Sequence, residues 1–201
     1  MSQPVSKTKL GLNLPTDPRW VNMAEMDIEE ILTDHAYCEQ KATSAGISLI
    51  QTFPEHEELV SQVAPVVTEE WEHFQMVVAE LKKRGLKLGR QRKDEYVGKL
   101  LKFQKKGGSR EQLLMEKLLT CALIEARSCE RFRLLSLNIK EPELRDFYHG
   151  FMVSEAGHYK MFIQLAKLYL PEEDVKSRWQ EYLAFEAEML KTLEIRGDRM
   201  H

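Results

Sequence analysis

Cysteine is scarce in this chain: Cys38, Cys121 and Cys129 are the only three, and none stand in a C-x-x-C spacing. That excludes a disulfide scaffold, a zinc ribbon and a rubredoxin-type iron site, and it suits a reducing, cytoplasmic setting. Glycine and proline are also few, 10 and 7 in 201 residues, so the chain does not read as disordered. No apolar run approaches the roughly 18 residues needed to cross a bilayer, which argues against a membrane protein. The first residues, Met1 to Lys7, lack the charged-then-apolar order of a secretory signal. No segment shows the alternating, β-branched pattern of a sheet.

What the sequence does have is charge, unevenly spread, and helical periodicity. The net charge of −3 conceals a basic segment from Lys82 to Arg110, where 12 Lys/Arg meet only Asp94 and Glu95. The remainder carries 17 basic and 30 acidic residues. An acidic body with one concentrated basic segment points to a polyanion contact at a defined place. With 43% hydrophobic residues the chain can bury a substantial core, and its length suits one domain over residues 1–201.

Residues 1–22, punctuated by Pro4, Pro15 and Pro18, read as an extended lead-in. A helix follows from about Asp27 to Ile50. The next begins after Pro54 and runs to about Arg84, with Pro65 inside it expected to kink it or move its start. The basic insert, residues 82–110, holds a short helix from about Asp94 to Gln104. Ser109 and Gln112 form a capping-box pattern that opens a long helix to about Leu137. Another runs from Glu143 to Leu170, and a last one from Pro171 to about Glu194. Four long helices with one long crossover and an additional C-terminal helix describe an all-α, ferritin-like four-helix bundle.

Two of these helices carry E-x-x-H: Glu70 with His73, and Glu155 with His158. That spacing puts a carboxylate and an imidazole one turn apart on one face, so both reach the same ion. Glutamate is abundant here, so either match alone is weak and could be a solvated helix face. Their neighbours are apolar, however: Val63, Val66, Val67, Phe74 and Val77 around the first, Phe151, Met152, Tyr159 and Phe162 around the second. Ionisable groups on an inward face are costly unless paired or coordinating a metal. Single glutamates complete the pattern. Glu39 is flanked by Ala36, Ala42, Thr43 and Gly46, and Glu125 by Leu118, Cys121, Ala122, Ser128, Cys129 and Phe132. Glu39 precedes Glu70 by 31 residues and Glu125 precedes Glu155 by 30, so two similar halves suggest a pseudo-twofold site for two metals. The opposing reading is a bundle with buried salt bridges. Four carboxylates and two imidazoles suit iron or manganese.

The remaining candidates read as ordinary packing. The cysteines are small buried hydrophobes rather than ligands. His35 is a packed or capping histidine, with a role supporting Glu39 as the alternative. His56, His149 and His201 are surface residues, and Tyr37, Tyr148 and Tyr159 belong to core or surface packing. In the basic segment a solvated face competes with an RNA contact. Glycines that let backbone approach phosphate, and Tyr96 and Phe103 as stacking surfaces, favour RNA.

The runs HAYCEQKA at Glu39, EEWEHF at Glu70 and His73, LIEARSCERF at Glu125 and SEAGHYKMF at Glu155 and His158 carry a family resemblance. Over nearly its full length, basic insert included, the chain resembles the bacterial tRNA 2-methylthio-N6-isopentenyladenosine hydroxylases, non-haem di-iron monooxygenases of the ferritin-like superfamily. The resemblance implies two iron ions on Glu39, Glu70, His73, Glu125, Glu155 and His158, with O2 as co-substrate and an external electron donor. It implies hydroxylation of the isopentenyl group of ms2i6A at position 37 of tRNA, giving ms2io6A. It also implies docking of the tRNA anticodon stem-loop, for which Lys82, Lys83, Arg84, Lys87, Arg90, Arg92, Lys93, Lys105, Lys106 and Arg110 are the candidate phosphate contacts. Competing readings are a ferroxidase or iron-storage protein, a hydroxylase of a lipid quinone, and a metal-free helical RNA-binding protein.

Overall fold

The computed structural model describes residues 8–201, and among these there are helices and no strand. The lead-in residues 1–7 lie outside the described residues. The elements are α1 (Arg19–Glu25), α2 (Ile28–Thr52), α3 (Glu57–Lys83), α4 (Glu95–Phe103), α5 (Arg110–Asn138), α6 (Pro142–Tyr169) and α7 (Glu172–Lys191). No helix among the described residues is long and apolar enough to cross a membrane.

The helix ends follow local chemistry. Asp27 caps α2, its side chain accepting from the Glu30 backbone N–H at 3.2 Å, with Glu29 and Glu30 in the first turn. Ser109 and Gln112 form the expected capping box of α5: the Ser109 hydroxyl accepts from the Gln112 N–H, and the Gln112 side chain accepts from the Ser109 N–H. Pro142 sits in the first turn of α6, where its missing N–H costs nothing. α3 starts at Glu57 and runs through Pro65, so the proline does not move the helix start. The extended lead-in is corrected at its end: α1 begins at Arg19, after Asp17 has accepted the Arg19 N–H and paired with its guanidinium.

Two compact units emerge. One comprises Val21–Asp94 with Arg196–Met200, and the other the residues through Trp20 with Glu95–Ile195 and His201. The first is built on the antiparallel pair α2 and α3, which close tightly at Gly46, where a Cβ would meet Val67 Cγ2 at 2.6 Å. Its C-terminal residues fold back onto α2: Asp34 accepts from the Met200 backbone N–H at 2.8 Å and from Arg199 Nη1 at 2.9 Å.

The second unit centres on α5, which is buried on several sides, from Leu114 and Leu118 to Arg127 and Phe132. α6 covers one side through Tyr148 and Phe151, whose ring centroids lie 5.7 and 5.5 Å from that of Phe132 on α5. α7 covers another through two arginine-centred clusters. Arg127, fully buried, donates to Glu186 Oε1 and Oε2 at 2.7 and 2.9 Å and to the Leu14 carbonyl, and it pairs with Glu130. Arg178 donates to Glu116 at 2.7 and 2.8 Å, and Tyr182 donates to the same carboxylate at 2.8 Å. Deleting one member of such a buried pair strands the other's charge. Arg127→Ala is therefore expected to cost about 3–5 kcal/mol, read as a lower urea midpoint; an unchanged midpoint would mean the cluster does not hold α7 to α5.

Candidate metal centre

Each unit carries one half of the expected ligand set. On α2 and α3, Glu39, Glu70 and His73 are all buried, and each offers one ligand atom within 4.8 Å of the others. His73 Nδ1 lies 3.6 Å from Glu39 Oε2 and 3.7 Å from Glu70 Oε2. The helical register explains this: Glu70 and His73 are one turn apart on the face of α3 that also buries Leu59, Val63 and Val77. On α5 and α6, Glu125, Glu155 and His158 are likewise buried and likewise within 4.8 Å of one another. There His158 Nδ1 is 3.7 Å from Glu155 Oε2, on a face that buries Phe151 and Phe162.

The electrostatics of the α2–α3 half are those of a cation site. Burial, reinforced by the charge of Glu70, pushes the Glu39 carboxyl well above the ordinary range. Burial opposes a charged His73, but hydrogen bonds and charge from Glu39 and Glu70 outweigh it and raise His73 to about 9. Two buried carboxylates converging on one imidazole repel each other unless protons or a cation sit among them. The other half shows the same field on its neighbour: burial, then Glu155 and Glu125, push the Cys129 thiol up to about 12.

Besides Glu125, α5 carries Glu116 and Glu130. Both of these are taken by arginines, Arg178 and Arg127, whereas Glu125 stands with Glu155 and His158. The donor set suits a hard divalent ion: carboxylate oxygens and imidazole nitrogens, with every side chain buried and none a thiolate. The two buried Glu/Glu/His clusters are compatible with a di-iron centre.

Several other sequence readings are revised. His35 is fully buried, as a packed residue is, with Nε2 2.7 Å from Glu39 Oε1, and burial together with the charge of His73 lowers its pKa to about 3. His201 is not a surface residue; it stacks on Tyr96 at 5.1 Å and its Nε2 lies 2.9 Å from the Ser128 hydroxyl. His56 is half-buried, and His149 is exposed as expected. Tyr37 donates to the Gly89 carbonyl and Tyr148 packs in the core, as ordinary packing predicts.

The basic segment divides into structural and exposed cations. Arg92 donates to the carbonyls of Glu30 and Asp198 at 3.0 and 2.8 Å and pairs with both carboxylates, so it fastens the segment down. Arg84 pairs with Glu80, and Lys105 pairs with Glu181 at 3.1 Å. Lys82, Lys83, Lys87, Arg90, Lys93, Lys106 and Arg110 are exposed. The stacking argument fails, and the glycine argument fails at Gly85 and Gly89. Tyr96 is buried and donates to Glu186, and Phe103 is stacked on Phe185 with its ring centroid 4.0 Å away. Gly89 already spends its N–H on Thr33 and its carbonyl on Tyr37, and Gly85, at φ 71°, ends α3. Pattern alone could not separate these roles, since a buried aromatic and an exposed one look alike in a short amphipathic helix.

A pH-linked consequence follows from His73. Its folded pKa lies above the ordinary 6.5, so in the metal-free protein its stabilising contribution is complete below pH 6.5 and lost as pH rises through about 9. A divalent ion needs the neutral imidazole, so loading metal at pH 7.5 is expected to release about one proton from His73, besides any from Glu39. Calorimetric titration in buffers of different ionisation enthalpy measures this. A binding enthalpy independent of buffer would contradict it.

The chain matches the family model described as tRNA-(MS2IO6A)-hydroxylase (MiaE) over residues 3–201. It is similar to the tRNA 2-(methylsulfanyl)-N(6)-isopentenyladenosine(37) hydroxylase of Pseudomonas putida, 35% identical over 181 residues, 90% of this chain and 87% of that one. It is also similar to the protein of the same name from Salmonella typhimurium, at 25% identity over 89% of this chain and 83% of that one. Among solved structures it resembles a Synechococcus protein described as having aldehyde deformylating oxygenase activity. That likeness has a TM-score of 0.89 and 33% identity, and covers 94% of each chain. It bears out the expected all-α, ferritin-like class. With a match from residue 3 to residue 201, this chain belongs to the tRNA-(MS2IO6A)-hydroxylase (MiaE) family.

Proposed function

We propose that this chain is an O2-dependent, non-haem di-iron monooxygenase that hydroxylates the isopentenyl group of ms2i6A at position 37 of tRNA, giving ms2io6A. The observation that carries the reading is the repeated buried trio. Glu39, Glu70 and His73 on one helix pair, and Glu125, Glu155 and His158 on the other, lie in a chain matched to this family over residues 3–201. The two helix pairs are read as halves of one domain, and the six side chains as the ligands of two iron ions. When bound, the iron pair supplies O2 activation and transfer of one oxygen atom to an allylic C–H bond, with electrons from an external donor. The protein's own part is geometric and dielectric. Its glutamates supply negative charge in a buried setting, its histidines supply neutral nitrogen donors, and Val63, Val77, Phe151 and Phe162 keep water from the face that carries them.

The tRNA partner is read from the family and from the exposed cations of the basic segment, with the anticodon stem-loop as the part engaged. Lys82, Lys83, Lys87, Arg90 and Lys93 remain the leading phosphate contacts, and Arg92 moves to a structural role. A cytoplasmic setting, where tRNA resides, completes the reading.

Nucleoside mass spectrometry of tRNA from cells lacking the gene tests the activity. ms2i6A is expected to accumulate and ms2io6A to vanish, the wild-type gene to restore it, and a Glu125→Ala copy to fail. Unchanged nucleosides would reject the function; restoration by Glu125→Ala would reject that ligand. A separate prediction concerns docking. Replacing Lys87, Arg90 and Lys93 with Gln together is expected to weaken tRNA binding and flatten the slope of log affinity against log salt by roughly 2. An unaltered slope would move the docking face elsewhere.

A further inference from the structure

The chain's three tryptophans differ in exposure: Trp20 is fully buried, Trp179 half-buried and Trp71 45% exposed. Trp71 is braced nonetheless. Its ring stacks on Phe74, with centroids 4.8 Å apart and planes 18° from parallel. Beside it runs a groove of about 470 Å³, within the roughly 300–1,000 Å³ of small-ligand sites. Gln40, Ser44 and the exposed Ile47 of α2 line it, with Val67, Thr68 and Trp71 of α3, and no lining residue is charged. Residues 42–54 and 59–68, which form much of this face, contain no Asp, Glu, Lys or Arg in a chain that is 30% charged.

The basic segment leads to this groove along α2. The Lys87 N–H donates to Glu29 Oε1 at 3.4 Å, and the Gly89 N–H to Thr33 Oγ1 at 3.2 Å. The Tyr37 hydroxyl donates to the Gly89 carbonyl at 2.9 Å, and Lys41 pairs with Asp94. Gln40 and Ser44 stand one turn beyond Tyr37 and Lys41 respectively, and the rise from Tyr37 to Ser44 is only about 10 Å. Exposed cations at Lys87, Arg90 and Lys93 therefore give way, on one side of one helix, to an uncharged aromatic groove. A nucleotide has the same two parts, an anionic phosphate and a neutral planar base.

We propose that the Trp71 groove is a subsite for an unpaired nucleobase of RNA, stacked on the indole while the flanking phosphates meet Lys87, Arg90 and Lys93. The inference rests on the tRNA reading above and deepens it, because it supplies the stacking surface that the covered Tyr96 and Phe103 do not. Phe74 holds the indole in place, so little side-chain freedom is lost when a base stacks on it. Gln40 and Ser44, hydrogen bonded to each other at 3.1 Å, offer an amide and a hydroxyl to the edge of the base. A phosphate would find no cation among the lining side chains, whereas a neutral base meets apolar and hydrogen-bonding groups together. Gln40 and Trp71 directly follow Glu39 and Glu70, so the base would lie on the turns of α2 and α3 that carry two of the candidate ligands.

The test measures binding of an anticodon stem-loop RNA to the full-length protein over a range of salt, in wild type, Trp71→Ala and Trp71→Phe. Trp71→Ala is expected to weaken binding roughly 5- to 100-fold and to leave the slope of log affinity against log salt unchanged, because a stacked base displaces no counterions. Trp71→Phe, which keeps a smaller ring, is expected to lose less. Unchanged affinity in Trp71→Ala would overturn the proposal. So would a loss accompanied by a flatter slope, which would make the contact electrostatic. Should Trp71→Ala not fold, fluorescence decides: the emission contributed by Trp71, taken as wild type minus Trp71→Phe, is expected to be quenched by the RNA, and its persistence would overturn the stacking. A wild type that elutes as a dimer, with a monomeric Trp71→Ala of intact RNA affinity, would assign the groove to a second copy and overturn the proposal as well. Absence of RNA binding by wild type would instead reject the tRNA reading itself, so the two failures are distinguishable.

Discussion

The constraint on which the rest of this protein depends is the cost of burying carboxylates. Glu39, Glu70, Glu116, Glu125, Glu155 and Glu186 are all buried, and each must be compensated if the fold is to survive. The chain uses two kinds of compensation and keeps them on different faces. Glu116 and Glu186 meet Arg178 and Arg127, which tie α7 to α5. Glu39 and Glu70 converge with His73, and Glu125 and Glu155 with His158. An arginine-paired carboxylate is finished as an electrostatic object. A carboxylate facing another carboxylate and an imidazole is not, and a divalent cation would complete it.

That division also explains what the extra elements contribute. α4 and α7 carry none of the six candidate ligands. Tyr96 on α4 and Arg127 on α5 both reach Glu186 on α7, and Arg178 on α7 donates to the Phe103 carbonyl as well as to Glu116. These contacts draw α4 and α7 onto α5 and hold the helix that presents Glu125. In the other unit Arg92 serves a comparable end by bonding the basic segment to Glu30 and Asp198. Charge in this protein therefore fastens helices, and in the proposed function it also furnishes ligands and, on the exposed lysines and arginines, faces a polyanion.

Much of this was legible in the residues. Helix limits fell within a few positions because caps such as Asp27 and the Ser109–Gln112 pair are local chemistry, written in adjacent residues. The two Glu/Glu/His groupings were legible because E-x-x-H and the lone glutamates obey helical period, and because two halves with matching intervals are improbable together. Other features were not legible. α1 lies in a proline-punctuated stretch too short for periodicity to show. Tyr96 and Phe103 look in the sequence like surfaces for bases, yet α7, distant in sequence, covers them. His201 is covered because it stacks on Tyr96, a contact across the chain that no local pattern shows.

The sequence by itself determined the helices, the acidic body with its basic segment, and which glutamates and histidines share a face with apolar residues. Those properties depend on neighbours within one or two turns. The tertiary structure decided which of the buried glutamates meet an arginine and which meet a histidine, which cations are spent on the fold, and that His35 engages Glu39. Such choices depend on side chains brought together from distant positions and on rotamers selected by packing, and no local pattern records them.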